Sequence, residues 1–295
     1  MYLELTARGA LLLAAVALFV AGAAAASDPL GAQEAFAPDC ERVLPLDLRE
    51  ICERGELRVV RYEGERQPFF FLKGDITVGF DVDLGRDMAE RLGVRYREVA
   101  AAESFDAVVD RVADGSADLG LSKLSATLVR AQRVRFSRPY LTVYQALLVN
   151  RLSAPGGGDP FQSLNASGFT VGALGGTAYV GYVRDSLGAA EVRSYTDFDR
   201  MMSDVVTGVI DAALMDSARS DTWRRAHSEQ LIHVPTTIDR SRSDPLAIAV
   251  GWENTHLLAW INLYLERIRS DGTAERLYQK WFSRSRGQGV AGQPQ

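Results

Sequence analysis

Arg130 is the residue around which chemistry can be built. Its guanidinium is a planar fork matched to a carboxylate, and it stays charged at any biological pH. It follows Ser122, Ser125 and Thr127, whose hydroxyls and backbone amides can complete a cradle for a small anion. Short motifs surround it in order: Gly-Phe-Asp-Val-Asp-Leu at 79–84, Asp-Leu-Gly-Leu-Ser at 118–122, Thr-Leu-Val-Arg at 127–130 and Phe-Ser-Arg-Pro-Tyr at 136–140. None carries a catalytic nucleophile, so the chemistry they imply is grip on a carboxylate. Alone, Arg130 reads as a helix-start residue on a solvated face, because arginine is abundant and Lys73, Lys123 and Lys280 are the only lysines. The flanking motifs reverse that weighting.

The elements that must hold these residues alternate as strands and helices. Leu-Arg-Val-Val at 57–60 reads as a strand, followed by turn residues and the aromatic run at 69–71. Asp81 is expected to cap a helix with Leu84, Met88 and Leu92 on one face and Gly93 at its end. A strand at 96–99 precedes a helix that turns Phe105, Val108, Val109 and Val112 inward. This spacing is that of parallel α/β structure. The pattern restarts after a Pro-Gly-Gly-Gly loop at 155–158. A strand at 170–173, a helix opened by the turn at 175–177 and a buried strand at 211–215 ending at Asp216 form a second α/β unit. An apolar strand at 246–250 and helices at 255–268 and 272–282 complete the pattern.

A chain of 295 residues with 47% apolar content can build two lobes with real cores. A formal charge of −5 argues against a nucleic-acid partner. Residues 1–26 read as an export signal: Arg8 precedes an apolar run, and Ala24 and Ala26 fit a small-residue cleavage site. A retained membrane anchor is the competing reading. Residues 27–54 form an N-terminal extension holding Cys40 and Cys52, the only cysteines, which are expected to pair in an oxidising compartment. The three histidines show no metal-ligand spacing, the aspartates at 81, 83 and 87 do not fit a calcium loop, and no cofactor motif appears.

The ordered motifs, continued through Gly176 and Thr177, the stretch 208–216 and Lys-Trp-Phe at 280–282, resemble the extracellular solute-binding proteins of polar amino-acid ABC importers. The resemblance covers about residues 55–283. It implies a two-lobed periplasmic binding protein fold (type II), with mixed sheets flanked by helices and two hinge strands, here near 142–150 and 244–251. Lobe one would comprise 55–150 and 244–283, lobe two 151–243, and 284–295 a tail. Carried over by position, Arg130 and Ser125 would bind a ligand carboxylate, Thr177 and Ala178 would add backbone donors, and Asp216 would accept the α-ammonium. The resemblance further implies a periplasmic, monomeric, non-enzymatic protein that hands its ligand to a membrane permease.

Three positions depart from the family pattern. Lys123 stands where a small residue is common, Arg66 where many members present a stacking aromatic, and Glu63 where some carry aspartate. Extra cations beside Arg130 favour a second acidic group on the ligand, hence an acidic amino acid or a small dicarboxylate. Equally open is that Lys123 and Arg66 point outward or pair with Glu63 and Glu65. Tyr62 or Phe69 would then supply an apolar wall. Two rivals share the scaffold: a periplasmic cyclohexadienyl or arogenate dehydratase, with Glu63 as its one candidate acid or base, and an accessory protein of a periplasmic dehydrogenase.

Overall fold

The computed structural model describes Cys40, Arg42 and residues 45–153 and 158–282. The export-signal segment, most of the N-terminal extension and the tail lie outside the described residues. The first lobe opens with α1 (Leu46–Arg54), β1 (Glu56–Val60), β2 (Phe71–Lys73), β3 (Ile76–Val78) and α2 (Phe80–Arg91). It continues through β4 (Arg95–Glu98), α3 (Phe105–Ala113), β5 (Leu119–Gly120) and β6 (Arg135–Phe136). The chain crosses on β7 (Leu141–Val149) to α4 (Pro160–Ser163), β8 (Thr170–Leu174), α5 (Ala178–Ser186), β9 (Glu191–Tyr195) and α6 (Phe198–Val206). The second lobe ends with β10 (Ala212–Asp216) and α7 (Ser217–Ala226), and β11 (Thr236–Leu246) returns. The strand β12 (Ala249–Val250) and helices α8 (Thr255–Ser270) and α9 (Thr273–Phe282) complete the first lobe.

The first sheet has the order β4-β1-β5-β12-β6, with β1 parallel to β4 and β5 and β12 antiparallel to its neighbours. Leu57 and Val59 pack beneath Leu84 and Met88 of α2 and Ile261 of α8, while Val60 meets Val108 and Val112 of α3. Covered on both faces, the central strands carry apolar side chains at nearly every position. The second sheet runs β11-β7-β10-β8-β9. Tyr179 and Val183 of α5 cover one face; Met201, Met202 and Val205 of α6 and Trp223 of α7 cover the other.

Strands β7 and β11 join the lobes. They pair antiparallel from Leu141 opposite Leu246 to Leu148 opposite Thr236, with a bulge between Asp239 and Ser243. At the lower end, Tyr140 N–H donates to the Leu246 carbonyl (2.9 Å) and Ala126 N–H to that of Pro245 (3.0 Å). The return strand β11 therefore begins before the expected 244–251 and shares Asp244–Leu246 with it, while β12 belongs to the first sheet. The reason is compositional: Thr-Thr-Ile-Asp-Arg-Ser-Arg-Ser-Asp-Pro-Leu lacks a strand-like apolar pattern, and its pairing with β7 overrides weak propensity.

Cys40 and Cys52 form a disulfide with Cα atoms 5.8 Å apart. Asp47 of α1 accepts the backbone N–H groups of His256 (2.9 Å) and Leu257 (3.0 Å). A carboxylate from α1 thus satisfies orphan donors in the first turn of α8 and sits at the positive end of its dipole.

Candidate functional site

The two lobes meet around a cavity of about 40 Å³. Its first-lobe wall is Arg66, Phe105, Lys123, Ser125 and Arg130, and its second-lobe wall includes Leu174, Thr177, Ala178, Tyr179, Asp216 and Arg219. Among the described residues, four cationic side chains and one carboxylate, Asp216, line it.

Arg130 begins a single 3-10 turn (Arg130–Gln132) and is 5% exposed. Its Nε donates to Asp106 Oδ1 (3.0 Å), Nη1 to the Ser125 carbonyl (3.3 Å) and Nη2 to the Gly176 carbonyl across the cleft (3.2 Å). Each Nη carries a second N–H, so the fork edge keeps donors for an anion. The Ser125 hydroxyl donates to Asp244 Oδ2 (3.0 Å). Asp244, on β11, also receives Tyr179 Oη–H (2.8 Å) and Tyr182 Oη–H (3.2 Å) from α5. One hinge carboxylate thereby ties both lobes. Burial pushes its carboxyl above the ordinary value, against the opposing pull of Tyr179, Lys123 and Ser125.

Thr177 caps α5 with its hydroxyl accepting Tyr179 N–H (3.3 Å), which sets Thr177 and Ala178 at the cavity on the positive end of that helix. Asp216 ends β10 opposite Gln145 of β7 and caps α7 by accepting Arg219 N–H at Oδ1 (2.8 Å). Its Oδ2 pairs with Lys123 Nζ across the cleft, both side chains nearly buried. Burial alone would raise the Asp216 carboxyl; the Lys123 ammonium and Arg219 N–H together hold it below the usual range. Lys123 is a non-glycine residue in the left-handed region (φ 48°), and its N–H donates to Asp81 Oδ2. That backbone turn aims the ammonium inward.

Asp81 corrects the sequence reading. Gly79 is the N-cap of α2, at φ 142°, where a Cβ would collide with the Phe69 carbonyl. Asp81 lies inside the first turn and is buried, accepting Lys123 N–H and Tyr140 Oη–H (3.0 Å). It anchors the cleft floor from behind and caps no helix.

Arg66, Lys123, Ser125, Arg130, Thr177, Ala178 and Asp216 come together on the cavity. Glu63, Tyr62 and Phe69 do not line it. Glu63 is exposed on the turn after β1, so it presents no acid or base to the cavity. Phe69 is fully buried in the first-lobe core, edge-on to Phe80 (6.5 Å) and Phe282 (5.4 Å). Tyr62 stacks on Phe105 (4.9 Å) with the Arg66 guanidinium 4.4 Å above its ring, making it a platform beneath Arg66. Arg66 neither points outward nor pairs with Glu63 or Glu65, although its Nη1 donates to the Glu65 carbonyl (2.7 Å).

The sequence reading passed over α7 and with it Arg219. This guanidinium stacks 3.7 Å from the Phe198 ring, and its buried Nε has no hydrogen-bond partner among the described residues. Burial and then the nearby Arg66 charge pull it down to about 10, against Asp216. The available signal was Asp216 itself, an N-cap residue type at a strand end followed by Ser-Ala-Arg-Ser.

Two α/β lobes joined by paired strands around a cationic cavity are the architecture of a two-lobed periplasmic binding protein. A family model for bacterial extracellular solute-binding proteins, family 3, matches residues 59–284, and the chain belongs to this family. It is 28% identical over 218 residues to the lysine/arginine/ornithine-binding periplasmic protein of Escherichia coli, covering 71% of this chain and 80% of that protein. It is 27% identical over 236 residues to the L-cystine-binding protein TcyJ of the same organism, covering 80% of this chain and 85% of that protein. Among solved structures, an ancestral amino acid-binding protein that is a precursor of cyclohexadienyl dehydratase aligns with a TM-score of 0.66 and 30% identity, over 80% of this chain and 98% of that one.

Proposed function

We propose that this protein captures a small acidic ligand, an acidic amino acid or a short dicarboxylate, between its lobes in the periplasm and presents it to an ABC importer. The observation that carries this reading is the charge of the cavity wall: among the described residues Arg66, Lys123, Arg130 and Arg219 face one carboxylate, Asp216. A ligand carboxylate docks on the Arg130 fork of the first lobe. Rotation about β7 and β11 then brings up the start of α5 and Asp216. Closure excludes water and strengthens each charged hydrogen bond. The basic specificity in the name of the lysine/arginine/ornithine-binding relative is not carried over, because a cationic side chain would meet like charge here. The dehydratase alternative draws no support from Glu63, which is exposed away from the cavity.

Titration calorimetry of aspartate, glutamate, succinate and glutarate into wild-type protein and Arg130→Ala tests this. At least one acid binds the wild type, and Arg130→Ala loses about 2–5 kcal/mol of that affinity with the fold intact. Equal affinity in the variant refutes the assignment of Arg130.

A further inference from the structure

We propose that Lys123 is a resident ammonium occupying the cation subsite of Asp216, so that the ligand is a short dicarboxylate without an amino group, its second carboxylate taken by Arg66 and Arg219. The inference rests on the carboxylate-receptor reading above and narrows it.

The first observation is the Lys123–Asp216 pair. Asp216 is the group to which the family resemblance assigns a ligand α-ammonium. Here Lys123 Nζ already holds Oδ2, Arg219 N–H holds Oδ1, and the two side chains are 10% and 4% exposed. Lys123 is pinned at both ends. Its backbone N–H is bound by Asp81 and its ammonium lies 5.3 Å from the Phe69 ring. A ligand ammonium entering this corner would therefore meet a neutralised carboxylate and the like charges of Lys123, Arg66 and Arg219. The desolvation of that ammonium would go uncompensated.

The second observation is independent. Among the described residues neither Arg66 nor Arg219 is ion-paired to a carboxylate, yet both line the cavity. Their faces are covered by rings, Arg66 by Tyr62 and Arg219 by Phe198, and Arg66 gives only Nη1 to the Glu65 carbonyl, which leaves the other N–H groups for a ligand. The Arg219 Nε is buried without a partner, an arrangement costly unless an anion satisfies it. Arg66 comes from the first lobe and Arg219 from the second, so an anion between them also draws the lobes together.

Matched pairs test this, because succinate and aspartate, like glutarate and glutamate, differ only by the amine. In calorimetry on the wild-type protein, succinate should bind at least about tenfold tighter than aspartate, and glutarate than glutamate. Lys123→Ser, with its fold checked by circular dichroism, should reverse the preference by freeing Asp216 for a ligand ammonium. Arg219→Gln, which needs no change at Asp216, should weaken succinate at least about tenfold. Wild-type binding of aspartate as tightly as succinate overturns the inference while sparing the receptor reading. So does an unchanged pair ratio in a folded Lys123→Ser, or full succinate affinity in Arg219→Gln. Binding of no member of either pair by the wild type refutes the receptor reading itself, and this inference with it.

Discussion

Raising the pH from about 5 to 8 should weaken the fold through one buried carboxyl, Asp81. This side chain is 2% exposed in the first turn of α2, with Lys123 N–H on one oxygen and Tyr140 Oη–H on the other. Burial lifts it from 3.8 to about 7, and the two donors restrain it from rising further. Between those values the folded chain holds a proton that the unfolded chain has released. The resulting stability is complete below about pH 4 and is lost as pH rises through about 7, at up to roughly 1.4 kcal/mol per pH unit. The shift from 3.8 to about 7 sets a ceiling of about 4 kcal/mol. Between pH 5 and 8 about 2.6 kcal/mol of that is lost, roughly 5–10 °C in Tm for a chain of this size. Asp81→Asn keeps an acceptor for Lys123 N–H and cannot ionise, so the part of the pH slope that belongs to Asp81 should be missing from it. Thermal or urea melts at pH 5, 6, 7 and 8 supply the comparison, and subtracting the variant curve cancels other titrating groups. Asp244, also raised, and Asp216, lowered, remain in both proteins. Parallel wild-type and Asp81→Asn curves would refute the assignment of the slope to Asp81.

Two further substitutions probe the scaffold around the site. Asp47→Ala removes the carboxylate that satisfies His256 and Leu257 N–H at the start of α8, and should lower stability by about 1–2 kcal/mol in urea melts; no change would mean that water replaces it at no cost. Gly79→Ala places a Cβ against the Phe69 carbonyl at a φ that L-residues rarely adopt, and should cost at least about 3 kcal/mol or prevent folding. A soluble Gly79→Ala protein with wild-type Tm would show that the start of α2 can shift freely.

Elements with a strong period were legible in the sequence. Leu84, Met88 and Leu92 define α2, Phe105, Val108 and Val112 define α3, and the apolar run ending at Asp216 is β10. What stayed hidden depends on partners distant in the chain. The β11 strand is polar and acquires its identity from β7. The α7 helix carries few apolar residues and is held by Trp223 and by the Asp216 cap. Phe69 looked like a cavity wall because aromatic residues often are, but its neighbours Phe80 and Phe282 lie up to 213 positions away in sequence and draw it into the core. The site residues were readable one at a time. Their pairing was not: Lys123 and Asp216 are 93 positions apart, and nothing local in either sequence context announces the other.

That pairing separates two jobs which the fold assigns to different carboxylates. Asp244, on the hinge strand opposite Val143, gathers hydroxyls from Ser125 of one lobe and from Tyr179 and Tyr182 of the other. It sets where the lobes meet, and no cation on the cavity wall pairs with it. Asp216 stands at the end of β10 and carries α7 directly behind it, so its charge balance decides which ligand end is tolerated there. A buried carboxylate stripped of its partner costs about 3–5 kcal/mol, so some cation must stay with Asp216. An amino-acid receptor draws that cation from its ligand, whereas here Lys123 can provide it from the first lobe. On the proposed reading, specificity for an amine is removed at residue 123 alone, while β7, β11 and Asp244 serve closure in either case.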